Sequence, residues 1–388
     1  MTIRNFLLPP EIIYGAGAVE NTGAATRKLK GNKVLVVTDE VMVNTGLAEK
    51  VIRGLENSGL GYSIYDQVSM EPTIEFVEEG LGIFKQNECD CIVAVGGGSP
   101  IDAAKAIAVM VNNPGSIKDY MGIEKIKNKG VPLMAVPTTA GTGSEATRVT
   151  IITDTSTDTK MLLLSSHLTP DVAVVDPLLT LSKPKGLTAA TGIDALTHAI
   201  EAYVSIKAQP MTDIYALSAI KLISGNLRQA WANGNNLEAR ENTMLGSLQA
   251  GIAFSNSSVA LVHGMSRPIG ANFHVAHGDS NAALLGEVME FSVIGNPARF
   301  ARIALAMGEN IEGLTNLEAA EKAVTAVKRL ISDIKIPSLK ELGVNREELE
   351  RLAPKMAADA INSGSPGNNP RQATEEEIIN LYKLAYGQ

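Results

Sequence analysis

The sequence predicts two domains of different class: an α/β domain built on a parallel sheet over residues 1–181 and an all-helical domain over residues 182–388. Three observations carry that expectation. The chain has 388 residues, 45% of them hydrophobic, and single cores stop growing at about 250–300 residues. Short β-branched runs alternate with amphipathic stretches through the first part of the chain, which is the pattern of strands joined by crossover helices. Beyond Pro184 the strand-like runs stop, and Ala, Leu, Ile and Met recur at helical spacing to residue 260 and again from 297 to 388. Pro177 and Pro184 punctuate the change, so the boundary is expected at 178–186.

In chain order, "MTIRNFLLPPEIIYG" holds too short an apolar run for a signal peptide, and no apolar span of about 20 residues follows. The expected location is the cytoplasm. "KVLVVTD" (33–39), "CIVAVGGG" (91–98), "VPLMAVPTT" (131–139) and "DVAVVDP" (171–177) read as buried strands, with "GLAEKVIRGLENSG" and "TIEFVEEGLGIFKQN" as helices between them. "ITDTSTDTKMLLLSS" reads as a hairpin. Cys89 and Cys91 alternate along their run, so they face opposite sides and stay as core thiols rather than bonding together. "NSGSPGNNPRQAT" (362–374) reads as a surface loop before a last helix, with Thr374 as N-cap and Glu377 completing a capping box. The formal net charge of -8, with no Lys/Arg-dense run, excludes a nucleic-acid or anionic-membrane partner and favours a small molecule.

Two loops carry candidate chemistry in the first domain. "VAVGGGSPIDAAKAIAVM" is a strand, three glycines and a helix start in succession. Ser99 is placed to cap, Pro100 to take the first helical position and Asp102 the capping-box position. Gly96, Gly97 and Gly98 let backbone approach a ligand, and the positive helix end suits a pyrophosphate. "PTTAGTGSEAT" (137–147) adds hydroxyls at Thr138, Thr139, Thr142 and Ser144. Asp39 closes its strand where a carboxylate accepts both hydroxyls of an adenosine ribose and repels a 2'-phosphate, which favours NAD over NADP. The acid precedes the glycines, the reverse of the usual G-x-G-x-x-G order, so the domain is a Rossmann-like variant of another topology.

In the second domain, "ATGIDALTHAIEAYV" places Asp194 and His198 four residues apart, where their Cβ atoms stand about 5–6 Å apart on one helix face. Glu201 shares that face and reads as a surface partner. "ALVHGMSRPIGANFHVAHGDSNAALL" supplies His263, Arg267, His274 and His277. Three of the five histidines with Asp194 would make a one-oxygen, three-nitrogen metal site; by spacing alone, ordinary hydrogen-bonded histidines are an equal reading.

The pieces "GGGSPID", "PTTAGTGSE", "TAATGIDALTHAIEAYVS", "LVHGM", "AHGDSNAALL" and "NNPRQATEEEI" resemble the iron-containing (group III) alcohol dehydrogenase family, in that family's order and over essentially the whole chain. The resemblance implies a dehydroquinate synthase-like architecture, with an N-terminal α/β dinucleotide-binding domain, an all-α C-terminal metal- and substrate-binding domain, a cleft between them and usually a homodimer. It implies metal ligands at Asp194, His198, His263 and His277. It implies cofactor contacts at Asp39, Gly96, Gly97, Gly98, Ser99, Asp102, Thr138, Thr139, Thr142, Ser144 and Lys160. The implied activity is hydride transfer between a primary alcohol or diol and NAD(H), with Fe2+ as the metal and Zn2+ as an alternative that the donor set also accepts. A zinc glycerol-type polyol dehydrogenase and a hydroxy-acid dehydrogenase are the other readings.

The chain departs from the family's pattern near that site. Arg267 stands where many members have a second histidine, Asp279 where many are apolar or small, Gly286 where many have proline, and Glu71 where many have asparagine. Arg267 cannot act as a base, being permanently charged. It is expected either to pair with a carboxylate such as Asp279 or to bind an acidic group of the substrate. His274, three residues before His277, is a candidate proton relay.

Overall fold

The computed structural model describes residues 3–69, 71–157 and 159–387. Leu7–Leu181 forms one compact unit, and the residues from Ser182 onward, with those up to Phe6, form the other.

Among the described residues the first unit contains nine strands: β1 Glu11–Tyr14, β2 Lys33–Val37, β3 Gly61–Tyr65, β4 Cys91–Gly96, β5 Gly122–Ile123, β6 Leu133–Pro137, β7 Val149–Asp154, β8 Thr159–Leu164 and β9 Val172–Val175. Its helices are α1 Thr22–Lys28, α2 Glu40–Asn44, α3 Leu47–Asn57, α4 Ile74–Gln86 and α5 Gly98–Met110. Six strands form one sheet in the order β1-β9-β6-β4-β2-β3, parallel throughout. Parallel strands are covered on both faces. Accordingly β4 and β6 are buried at every position, one core lying on each side of the sheet. Cys89 belongs to one of these cores and Cys91 to the other, both as free thiols. The hairpin β7–β8 is antiparallel and joins β5 in a separate small sheet.

Two details of α5 differ from the sequence expectation. The helix begins at Gly98 with Gly97 as N-cap, so Ser99 and Pro100 lie inside the first turn. Asp102 makes no capping box. Its carboxylate accepts from Ser144 Oγ at 2.6 Å and from the Ile151 amide at 2.9 Å. The glycines already fit the turn, which leaves Asp102 free to tie α5 to the chain behind it. Gly96 is required here: φ is 153°, and a Cβ would fall 2.6 Å from the Pro100 ring.

Beneath this tie lies Lys105, fully buried, whose Nζ donates to Ser144 Oγ, Thr147 Oγ1 and the Val149 carbonyl at 2.8–2.9 Å. Burial lowers Lys105 to about 8, against the opposing charges of Asp102 and Glu145. Burial raises Glu145 to about 7, against its backbone hydrogen bond and the Lys105 charge.

The second unit is all-helical: α6 Lys185–Val204, α7 Pro210–Ala232, α8 Leu237–Asn256, α9 Leu261–Phe273, α10 His277–Ser292, α11 Pro297–Ala306, α12 Asn316–Asp333, α13 Arg346–Asn362 and α14 Glu375–Tyr386. Helix α6 is buried on every side from Thr188 to Val204 except at Thr191, which marks it as the central element of the unit. Gly278, second residue of α10, lets that helix start against α6, since a Cβ there would lie 3.1 Å from the Ala190 carbonyl. Thr374 and Glu377 form the expected capping box on α14. The preceding loop is less exposed than expected, with Ser365, Asn368 and Asn369 buried. Among the described residues, no helix is long and apolar enough to cross a membrane.

Gly96→Ala is expected to cost about 1–3 kcal/mol of unfolding free energy through backbone strain and ring contact, measured by urea denaturation. Glu145 gives a pH signature. Its folded pKa is raised from 4.5 to about 7, so its stabilising contribution is complete below the unfolded value and is lost as pH rises through the folded one. Calorimetric melting from pH 5 to 8 should show the wild type losing ground to Glu145→Gln as pH rises; a pH-independent gap would refute the assignment.

Candidate metal centre and nucleotide loops

The central helix of a helical unit is ordinarily apolar all round, yet α6 carries Asp194, His198 and Glu201, between 2% and 5% exposed. Burying ionisable groups is costly unless they are paired. Helices α9 and α10 supply the partners. His263, in the first turn of α9, and His277, the first residue of α10, bring their ring nitrogens to the face of α6 that bears Asp194 and His198. One ligand atom from each of Asp194, His198, His263 and His277 lies within 4.8 Å of the others. Asp194 Oδ1 stands 3.6 Å from His263 Nε2 and 3.8 Å from His277 Nε2. Three of the four residues are buried, while the His277 side chain is 50% exposed. The group is therefore reached from the α10 side.

Burial alone would raise Asp194, but the charges of His198, His277 and His263 and a hydrogen bond from His263 hold it well below the usual carboxylate range. Burial opposes protonation of His263, but the Glu201 and Asp194 carboxylates outweigh it and push the ring up to about 9. The cluster is thus a carboxylate that strongly prefers positive charge around it. One oxygen and three imidazole nitrogens converging at this spacing fit a divalent first-row cation.

Two residues that the sequence reading did not place here complete the arrangement. Glu201 is not a surface partner. Its carboxylate accepts from His263 Nδ1 at 2.6 Å and from the backbone amides of Ala260 and Val262 at 2.8 and 2.6 Å. An ionised carboxylate only accepts, so Nδ1 carries the proton and Nε2 is turned to the cluster. Asn281, one turn into α10 and fully buried, donates from Nδ2 to Asp194 Oδ1 at 2.7 Å and lies 3.1 Å from both His263 Nε2 and His277 Nε2. Glutamates on helices are usually solvated, and an asparagine four residues after a histidine carries no chemical signature. The only sequence signal for Glu201 was its helical register with Asp194 and His198. Phe254 stacks on the His198 ring at 4.3 Å and closes that side with an apolar surface.

Arg267 does not pair with Asp279. Its Nη1 donates to Ser365 Oγ at 3.1 Å, and burial lowers its basicity against the opposing charge of Glu201. Asp279 is instead raised by burial alone. His274 ends α9 in the left-handed conformation with φ 56° and stands outside the four-residue group.

In the other unit, the candidate cofactor residues lie at the carboxyl ends of neighbouring strands. Asp39 lies just after β2, Gly96 ends β4 with Gly97 to Ser99 directly after it, and Thr138 and Thr139 follow β6. Strands β2 and β4 are adjacent, and the connection from β2 runs outward to β3 before the chain returns to β4. That makes the gap above β2 and β4 the topological switch point, where open α/β sheets bind their ligands. The two loops meet: Gly97 faces Thr139 and Gly98 faces Thr142 across 3.0–3.9 Å of would-be Cβ contact. Asp39 caps α2 by accepting from the Met42 amide at 2.9 Å. Thr138 Oγ1 points to Met42 Sδ at 3.3 Å. Asp102 and Ser144 bond to each other and act from behind the loop, as described above. Lys160 forms an ion pair with Glu71 at 2.6 Å.

Comparison with known proteins places these features in one family. A profile described as iron-containing alcohol dehydrogenase matches residues 9–177, and one described as Fe-containing alcohol dehydrogenase family, C-terminal, matches residues 188–386. A 1,3-propanediol dehydrogenase of Klebsiella pneumoniae is 43% identical over 385 residues, covering 98% of each chain. An NAD-dependent methanol dehydrogenase of Bacillus methanolicus is 42% identical over 384 residues, covering 99% of this chain and 100% of the relative. The crystal structure of a 1,3-propanediol oxidoreductase superposes with a TM-score of 0.96 at 43% identity, covering 99% of this chain and 100% of the other. By sequence over nearly its whole length and by fold, the chain belongs to the iron-containing alcohol dehydrogenase family.

Proposed function

We propose that this protein is a metal-dependent alcohol dehydrogenase and aldehyde reductase that moves hydride between a primary alcohol or diol and NAD(H), with Fe2+ as its metal and Zn2+ as the substitute. The observation that carries the reading is the convergence of Asp194, His198, His263 and His277 on one point from three helices. When bound there, a divalent cation would polarise an alcohol or carbonyl oxygen while a nicotinamide ring accepts or returns hydride.

The chain's own residues do the rest. Residues 182–388 hold the metal and substrate, and residues 1–181 the dinucleotide. Glu201 fixes the His263 ring and Asn281 orients Asp194, so the donor atoms are preorganised. Phe254 keeps water from the His198 side. In the other unit, the first turn of α5 offers backbone amides to a pyrophosphate, and Thr139 and Thr142 line the facing loop. Asp39 has the chemistry to accept ribose hydroxyls and repel a 2'-phosphate, which supports NAD(H) over NADP(H); the Bacillus methanolicus relative is itself named as NAD-dependent. Lys160, paired with Glu71, keeps N–H donors to offer to a cofactor. His274, exposed beside His277, is the group we assign to passing a proton to solvent.

A homodimer in the cytoplasm completes the proposal. The outer strand β1 has one edge unpaired in the sheet among the described residues, and Ile3, Leu7 and Leu8 before it are exposed. The buried free thiols Cys89 and Cys91 suit a reducing compartment.

Protein purified without oxygen should carry close to one Fe or Zn per chain by elemental analysis. It should oxidise 1,3-propanediol with NAD in an NADH absorbance assay, lose that activity on chelation and regain it with Fe2+. Full activity without metal would refute the reading. Glu201→Gln should weaken cation affinity about 10- to 100-fold in a chelator competition, because the neutral amide no longer draws the proton to Nδ1; unchanged affinity would remove Glu201 from the site.

A further inference from the structure

Arg267 is a permanently charged group with too few partners. It sits one turn after His263 on α9, where Cβ atoms lie about 5–6 Å apart. Its guanidinium has five N–H donors, and among the described residues its one hydrogen bond is to Ser365 Oγ at 3.1 Å. It forms no ion pair among those residues. Glu201, the carboxylate whose charge acts on it, already has both oxygens engaged by His263, Ala260 and Val262. A partly buried cation without a direct counter-ion is unfavourable, and a planar fork of donors is suited to a carboxylate or sulfonate.

We propose, resting on the dehydrogenase reading above, that Arg267 with Ser365 is the anion-recognition element of the substrate pocket and selects short hydroxy anions and their aldehydes. The separation of one helical turn between His263 and Arg267 matches an anionic group two or three bonds from the reacting carbon. A 3-hydroxy carboxylate or a 2-hydroxy sulfonate fits that spacing. The hydroxyl-bearing carbon gives hydride to NAD+, the hydroxyl proton goes to solvent, and the products are the aldehyde anion and NADH. Ser365, 6% exposed, accepts from Arg267 and retains its own proton to donate to the same anion.

The test compares 1,3-propanediol, 3-hydroxypropanoate and 2-hydroxyethanesulfonate as substrates of the metal-loaded full chain and of Arg267→Ala and Arg267→Lys. Loss of a charged hydrogen-bond pair predicts that the ratio of kcat/KM for the better anion to that for the diol falls about 10- to 100-fold in Arg267→Ala, with partial recovery in Arg267→Lys. Whichever of the carboxylate and the sulfonate gives the larger ratio identifies the anion. Calorimetric titration of non-reacting propanoate and ethanesulfonate into the wild type should show binding, and this measurement stands even where a variant fails to fold. A ratio unchanged by Arg267→Ala, or no anion binding by the wild type, overturns the proposal while leaving diol oxidation in place. Weakened NADH binding in Arg267→Ala with an unchanged ratio also overturns it, because the guanidinium would then serve the cofactor's phosphates. A wild type that oxidises neither kind of alcohol removes the dehydrogenase reading and this one together.

Discussion

A helix enclosed on every side has no water for its polar side chains, so each charge on α6 must be balanced by a neighbour within hydrogen-bond or cation reach. That constraint organises the helical unit. Asp194 is balanced by rings from α6, α9 and α10, and Glu201 by one ring and two backbone amides at the start of α9. Removing one partner from a buried pair costs about 3–5 kcal/mol, so the geometry of the cluster and the packing of three helices are a single requirement. Gly278 belongs to the same requirement, since a side chain there would press on the Ala190 carbonyl where α10 begins against α6.

The α/β unit solves a different problem. Its candidate nucleotide loops combine an open side above with a rigid base below. The open side comes from Gly96 to Gly98 at the end of β4, and the rigidity from buried polar ties between Asp102, Lys105, Ser144 and Thr147. A loop held from behind presents its amides in fixed positions, which is what preorganised recognition of a charged group needs. The depressed Lys105 and the raised Glu145 are the electrostatic trace of that buried tie.

Much of this was legible in the sequence, for definable reasons. Strands β2, β4, β6 and β9 lie in apolar runs broken by hardly any polar residue, and the β7–β8 hairpin was visible from its polar turn. Strand β1 is four residues following two prolines, and β3, "GYSIY", is an edge strand with only its last residue buried; neither has enough apolar sequence to stand out. Histidines and an aspartate at helical spacing announced the cluster, while its supports did not. Glu201 looks like any helical glutamate until its burial is known, and Asn281 acquires meaning only when α10 is laid against α6. The start of α5 was misplaced because Ser99-Pro100 imitates a cap, whereas glycine at Gly97 already satisfies the turn. Arg267 could be singled out by residue type alone, but its partner could not, because Asp279 and Ser365 differ in three dimensions and not in any local pattern.

The pairing of β1 with β9 has a temporal meaning. Glu11 registers with Val172 and Tyr14 with Val175, so β1 leaves the ribosome long before its partner, the last strand of its sheet, has been made. Until then "EIIY" waits as an unmatched segment while the inner strands assemble. Closure across so long a separation belongs to the slow class of folding events. Translation of the helical unit will therefore already be under way when the sheet receives its final edge.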